Sequence, residues 1–261
     1  MKVLDIKGLR IGEGRPKTIV SLMGADSAAL VATAHKAIEA RADCLEWRAD
    51  FFAKVDDVQA VAAAYQELCA ACPRTPIILT VRTKGQGGQA ELDAAAYASL
   101  LSGVLGACQP DFVDIETWIG DAAVTSLVEA AHARGIYVIV SCHDFSETPA
   151  ENEMEQQLLH MAELGADVPK LAVMARRSQD AHALMRATAC AREQLEVPLL
   201  TMAMGTAGQT TRLTGEVFGS ALTFCALGKA SAPGQVELAQ ALVTLNAIHA
   251  MREVEAADSA E

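Results

Sequence analysis

Tyr137-Val138-Ile139-Val140-Ser141-Cys142-His143-Asp144 is a run of β-formers, and the segment on its C-terminal side decides the fold. Thr148-Pro149-Ala150-Glu151 has the residues of a helix start, Met154, Leu158 and Met161 recur at helical spacing, and Gly165 marks the stop. A second β-type run, Val168 to Met174, comes next. The unit is strand, helix, strand, with a crossover long enough to leave the two strands parallel.

The same alternation extends both ways. Further β-type runs lie at Thr18 to Gly24, Cys44 to Asp50, Pro76 to Arg82, Phe112 to Glu116, Pro198 to Met204 and Ser220 to Leu227, making eight in all. Their starts fall about 22 to 36 residues apart, which suits a strand, a helix and two short loops. With 261 residues, the chain is close to the ~250 typical of a (β/α)8 barrel. An open doubly wound sheet competes, but no Gly-x-Gly-x-x-Gly follows the first strand. The pattern therefore predicts an α/β fold, a (β/α)8 TIM barrel in one domain over 1–261. Residues 1–17 do not fit the repeat; Val3, Leu4 and Ile6 before Gly8, and Leu9 and Ile11 before Gly12 and Gly14, predict a β-hairpin closing the bottom. Glu253 to Glu261 is short and acidic, and is expected to be a disordered, frayed tail.

Composition narrows the function classes. With 21 basic and 33 acidic residues the formal net charge is −12, which speaks against nucleic-acid and anionic-membrane partners. A 51% hydrophobic, 21% charged chain can bury a full core. No apolar run reaches the roughly 18 residues of a membrane span, and Met1 to Arg10 lacks a signal-peptide core, so a cytoplasmic protein is expected. Seven scattered cysteines do not make a secreted disulfide framework and read as reduced thiols. Cys69 and Cys72 form a Cys-x-x-Cys, but in an alanine-rich helical stretch without a second pair.

In a parallel barrel a polar residue near a strand's C-terminal end points into the catalytic mouth, so parity locates the chemistry. Glu46, Arg48 and Asp50 share a face; Thr80 and Arg82 share one with Ile78, Asp114 and Glu116 with Phe112, and Ser141 with His143. Lys170 lies among Val168, Ala172 and Met174. Each has an ordinary structural explanation alone, but five neighbouring strands sending ionisable groups to one interior argue for a site, since buried charges are costly unless paired or used. A lysine amid apolar neighbours favours its neutral, nucleophilic amine, which forms Schiff bases. His143 is the one histidine at a strand end and titrates in the range of a proton carrier; His35, His132, His160, His182 and His249 fall in helical segments. A Schiff-base lysine beside a histidine base suits proton removal next to a ketone. Arg48, Arg82 and Arg212 have forks suited to a carboxylate, and pairing with strand acids is the alternative, more so for Arg48 than for Arg212. No His-x-His or His-Glu-x-x-His is present, so no metal is expected. Gly85, Gly87 and Gly88 lack the ending of a phosphate loop.

Taken in order, these segments resemble the type I 3-dehydroquinate dehydratases of the shikimate pathway. The resemblance rests on Glu46-Trp47-Arg48-Ala49-Asp50, Thr80-Val81-Arg82 followed by Gly87-Gly88, Val140-Ser141-Cys142-His143-Asp144-Phe145 and Pro169-Lys170-Leu171-Ala172. It continues through Met202-Ala203-Met204-Gly205, Arg212 with Gly215 to Ser220, and Ala230-Ser231-Ala232-Pro233-Gly234-Gln235. It implies a homodimeric, cofactor-free lyase that dehydrates 3-dehydroquinate to 3-dehydroshikimate by syn elimination. It also implies Lys170 as the imine-forming residue, His143 as proton carrier, and Arg212 as carboxylate partner. Ser21, Glu46, Arg48, Arg82, Ser231 and Gln235 would hold the substrate, with Gln86, Glu116, Met202, Met204 and Phe224 in support. One position departs: Gln86 stands where the family commonly has a glutamate. It is expected to orient His143 while weakening its charge support, with Glu116 compensating in part. A class I aldolase would also want a strand lysine, but Arg212 and the Ser231 to Gln235 segment suit a carboxylate and hydroxyls better than a sugar phosphate. A non-catalytic barrel is disfavoured by the presence of both Lys170 and His143.

Overall fold

In the computed structural model, which describes residues 2–258, the chain begins with an antiparallel hairpin of β1 (Leu4–Ile6) and β2 (Leu9–Ile11). Ile6 pairs with Leu9, leaving Lys7 and Gly8 as a two-residue turn with φ of 53° and 83°, the twist that a right-handed hairpin needs. The barrel strands come next: β3 (Lys17–Leu22), β4 (Cys44–Arg48), β5 (Ile77–Thr80), β6 (Phe112–Glu116), β7 (Tyr137–Asp144), β8 (Val168–Met174), β9 (Leu200–Met204) and β10 (Leu222–Ala226). All pair in parallel in that order, with β10 beside β3. The ring closes between β9 and β10, where Leu199 bridges Ser220 and the Ala221 N–H donates to the Leu199 carbonyl at 2.7 Å. The expected barrel and hairpin are both present. The two-residue strand β11 (Val236–Glu237), which lies outside the eight expected runs, adds to β10.

Helices α1 (Ser27–Glu39), α2 (Val58–Ala71), α3 (Ala94–Ala107), α4 (Asp121–His132), α5 (Glu151–Glu163) and α6 (Ser178–Gln194) cover the outside, followed by the short α7 (Gln209–Leu213) and α8 (Gly215–Phe218) and the long α9 (Leu238–Asp258). Asp26, Asp57 and Asp93 cap α1, α2 and α3 through their side chains. Gly165 ends the α5 segment in a left-handed conformation, φ 95°, that an L side chain adopts poorly. The five non-strand histidines all lie in helices.

Side-chain alternation divides the core into two parts. Leu45, Trp47, Leu79 and Val113 point outward and pack against Val61, Tyr65, Leu101 and Val104 of the helices. Ile19, Cys44, Ile78, Phe112, Ile139 and Val168 point inward at the bottom, where Leu4, Ile6 and Ile11 of the hairpin join them. That apolar plug raises the floor of the interior and leaves the polar residues above it at the strands' C-terminal ends.

Two expectations are corrected. The strands at Cys44 to Asp50 and Pro76 to Arg82 stop at Arg48 and Thr80, because Asp50 sits in a 3₁₀ turn, Ala49–Phe51, and Arg82 opens the loop that carries the site. The acidic tail is not separate from the last helix as far as Asp258: α9 continues through Glu253, whose carboxylate lies 3.5 Å from His249 Nε2 one turn earlier, an i, i+4 pairing that supports the helix. Residues 259–261 of that expected tail lie outside the described residues.

Candidate active site

Above the apolar plug, the interior positions of β4 to β8 carry one connected polar network. Asp114 is its centre. Its Oδ2 lies 2.8 Å from Lys170 Nζ and 2.7 Å from Arg82 Nη2, and its Oδ1 accepts from Ser141 Oγ at 2.6 Å. Arg82 Nη1 donates to Glu116 at 2.8 Å and to Ser141 Oγ at 3.0 Å. Glu116 is also engaged by the Thr83 N–H and hydroxyl and by Trp118 Nε1. Arg48 forms a two-pronged pair with Asp50, both contacts at 2.7 Å. Glu46 accepts from Ser21 at 2.6 Å and Thr80 at 3.1 Å and lies 3.9 Å from Lys170 Nζ. Burying this many charges is tolerable because each lies within 4 Å of an opposite charge, although Arg82 Nη2, 2.7 Å from Asp114, is not aligned for a hydrogen bond.

Lys170 is 3% exposed, with its ammonium nitrogen 4.8 Å from the centre of the Phe224 ring. Burial pushes its pKa below the ordinary lysine range; Asp114 opposes this, while Arg82 adds to it. Asp114 itself would be raised by burial, but Arg82 and then Lys170 outweigh that and hold its carboxyl below the usual carboxylate range. His143, on the pocket wall, is kept well below the usual imidazole value by burial first, then by the cations of Arg82 and Lys170. It is therefore neutral at pH 7. Gln86 Oε1 accepts from the His143 backbone N–H at 2.7 Å and lies 3.2 Å from its Nδ1. An amide oxygen in that place selects the Nδ1–H tautomer and leaves Nε2 with a free lone pair.

The opposite wall is different. Met202 and Met204 of β9 and Phe224 of β10 line it, together with Arg212 from α7. Arg212 is 2% exposed, and among the described residues its one side-chain hydrogen bond runs from Nη2 to the Pro233 carbonyl at 3.3 Å, while Nε and Nη1 are buried without hydrogen-bond partners. Burial pushes its pKa down to about 10. Ser231, Ala232 and Gln235 form the remaining rim, with Gln235 bonded to Ser231 through both its amide nitrogen and its oxygen. The space between these walls, counted with the solvent at its open mouth, is about 460 Å³.

The pocket brings together Glu46, Arg48, Arg82, Gln86, His143, Lys170, Met202, Met204, Arg212, Phe224, Ser231 and Gln235. Ser21 and Glu116 stand behind this lining. Ser21 connects Glu46 to Ser231, 3.0 Å away. The Glu116 carboxylate is hydrogen-bonded to Arg82, Thr83 and Trp118, and among the described residues no hydrogen bond joins it to His143. Arg82 proves to be a paired arginine, as Arg48 is, and Arg212 an unpaired one. Sequence reasoning missed the central place of Asp114, whose signal was its inward parity. It also missed Phe145 and Gly87, which line the pocket beside His143. All seven cysteines are free. Among the described residues no group of three or more His, Cys, Asp or Glu side chains is disposed to hold a metal, and no helix is long and apolar enough to cross a membrane.

The family model described as type I 3-dehydroquinase matches residues 18–252. A 3-dehydroquinate dehydratase of Bacillus licheniformis is 42% identical over 249 residues, covering 95% of this chain and 98% of the relative; one of Klebsiella pneumoniae is 40% identical over 238 residues, covering 91% and 95%. Among solved structures, a type I 3-dehydroquinate dehydratase of Clostridium difficile, with covalently modified comenic acid, superposes with a TM-score of 0.91 at 35% identity, covering 96% of this chain and 99% of that one.

Proposed function

The chain belongs to the type I 3-dehydroquinase family, and on that premise we propose that it dehydrates 3-dehydroquinate to 3-dehydroshikimate by syn elimination through an imine on Lys170. The observation that carries the reading is the pairing of a buried, pKa-lowered Lys170 with a neutral His143 in one pocket whose far wall offers an unpaired guanidinium.

The substrate is a cyclic keto acid. Its carboxylate meets the free Nε and Nη1 donors of Arg212, a planar fork that matches two oxygens. Its C3 carbonyl then faces Lys170. The neutral amine adds to C3, and the carbinolamine hydroxyl leaves as water after taking up a proton from solvent, so that a protonated imine remains and draws electrons from C2; the same proton returns to solvent when the imine is hydrolysed. His143 Nε2 takes the C2 proton, and the electron pair of the broken C–H bond moves into the imine to give an enamine. The enamine pushes out the C1 hydroxyl, to which His143 returns its proton, so water departs and His143 is neutral again. A water molecule hydrolyses the conjugated imine and frees Lys170 and product. Asp114 holds Lys170 on target and balances its charge whenever nitrogen is protonated; Gln86 keeps the imidazole tautomer; Glu46, Arg48, Ser231 and Gln235 hold the ring hydroxyls. The covalently modified comenic acid in the Clostridium difficile relative is consistent with covalent chemistry in this architecture.

The same reading carries a one-domain, cytoplasmic homodimer that needs no metal or bound cofactor and serves the shikimate route to aromatic amino acids. The test is direct. With 3-dehydroquinate, the wild-type protein is expected to produce the ultraviolet absorbance of a conjugated enone acid, and Lys170→Ala to lose it. An absence of that rise with wild-type protein, or its survival in Lys170→Ala, overturns the reading.

A further inference from the structure

Phe145, the residue after β7 and two beyond His143, is 38% exposed, an unusual place for a large apolar side chain. It is nevertheless held from three sides. Its ring lies parallel to the His143 imidazole, with centroids 6.5 Å apart and planes 19° apart. The chain just after it is fixed by Asp144, whose Oδ1 accepts from the Ser146 N–H and hydroxyl and the Glu147 N–H at 2.6 to 3.0 Å. Its edge rests on the bare face of Gly87, where a Cβ would fall 2.2 Å from the ring and where φ is 82°. Gly87 follows Gln86, the residue that accepts from the His143 backbone and faces its Nδ1. The two halves of the contact are thus tied twice, once by the amide and once by the aromatic ring.

We propose that Phe145 is a positioning residue: seated on Gly87, it clamps the Gln86–Gly87 turn against the end of β7 and shields one side of the His143 ring from water. The proposal rests on His143 as the proton carrier assigned above. The clamp matters because Gln86 is an amide: it orients the ring but supplies no charge, so the shielded environment decides the protonation state. Arg48 from β4, Arg82 beyond β5, Asp114 from β6 and Lys170 from β8 face that ring; Asp144 follows it on its own strand. Three of the four facing groups are cations that favour the neutral imidazole, and exclusion of water strengthens them.

Phe145→Ala, which removes a partly exposed ring and leaves the core intact, admits water on that side. The His143 pKa rises toward its ordinary value, so the acid limb of kcat/KM against pH moves to higher pH, and kcat at neutral pH falls on the order of ten-fold through loss of alignment. Phe145→Tyr restores both. Gly87→Ala, which keeps the ring but pushes it from its seat, moves the limb in the same direction, and adds little when combined with Phe145→Ala. An acid limb that stays at its wild-type position in Phe145→Ala overturns the clamp, even if kcat falls. Borohydride trapping on Lys170 separates this from failure of the underlying reading: wild-type protein that is trapped and active while Phe145→Ala keeps the wild-type profile rejects the clamp alone.

Discussion

On the β4 to β8 side of the pocket every ionised group has a counter-charge, Arg48 with Asp50, Arg82 with Asp114 and Glu116, and Lys170 with Asp114. On the β9 to β10 side, Met202, Met204 and Phe224 surround a single guanidinium, Arg212, held by one carbonyl and otherwise unpaired. Arg82 and Arg212 are both buried, yet they do different work. A compensated guanidinium such as Arg82 fixes its neighbours and has little charge left over for a substrate carboxylate. An uncompensated one is unsatisfied until an anion arrives, and gives its interaction energy to binding.

Breaking the compensated wall has the largest expected effect. Asp114→Ala leaves Arg82 and Lys170 without their shared carboxylate and is expected to cost about 3–5 kcal/mol of stability, read from urea unfolding, together with nearly all turnover. Asp114→Ala with native-like stability would mean that the network is not what holds the wall. Removing the uncompensated charge should give the opposite signature. Arg212→Ala is expected to lower kcat/KM on the order of 100-fold, mainly through KM, with urea stability unchanged or improved. If it unfolds the protein instead, Arg212 belongs to the scaffold and the contrast between the walls fails.

A finer effect is expected at Gln86. Gln86→Glu places a carboxylate beside the imidazole, which stabilises the protonated form and raises the His143 pKa. Because protonated His143 cannot accept the C2 proton, activity in the variant is lost at higher pH than in the wild type as pH falls. The acid limb of kcat/KM is thus expected to move upward, with a few-fold change in turnover; no change in either would remove Gln86 from the mechanism.

The contrast between the walls also explains what could be read in advance. Period-2 alternation put Glu46, Arg48, Arg82, Asp114, Glu116, Ser141, His143 and Lys170 on inner faces, and that side of the pocket is built from strands whose parity survives folding. The partner of Lys170 was not legible, because parity does not give height: the stagger of neighbouring strands sets Lys170 level with Ser141, and Ser141 level with Glu116, yet the carboxylate within reach is Asp114, two residues lower on β6. For the same reason Glu116 could not be assigned in advance to Trp118 and Thr83 rather than to His143. The apolar wall was less readable still. Arg212 reaches the pocket from the short helix α7, where no strand pattern applies, and the family resemblance rather than the periodicity pointed to it. Phe145 and Gly87 meet between two loops that sequence spacing does not connect.

The central claim is that Lys170 is the covalent centre, held by one wall while the other holds the acid end of the ligand. Borohydride reduction in the presence of 3-dehydroquinate, followed by mass mapping of the digested protein, tests it most directly. The predicted result is a single stable adduct on the peptide containing Lys170, absent from Lys170→Ala. An adduct elsewhere, or complete turnover with nothing trapped on that peptide, would contradict the account.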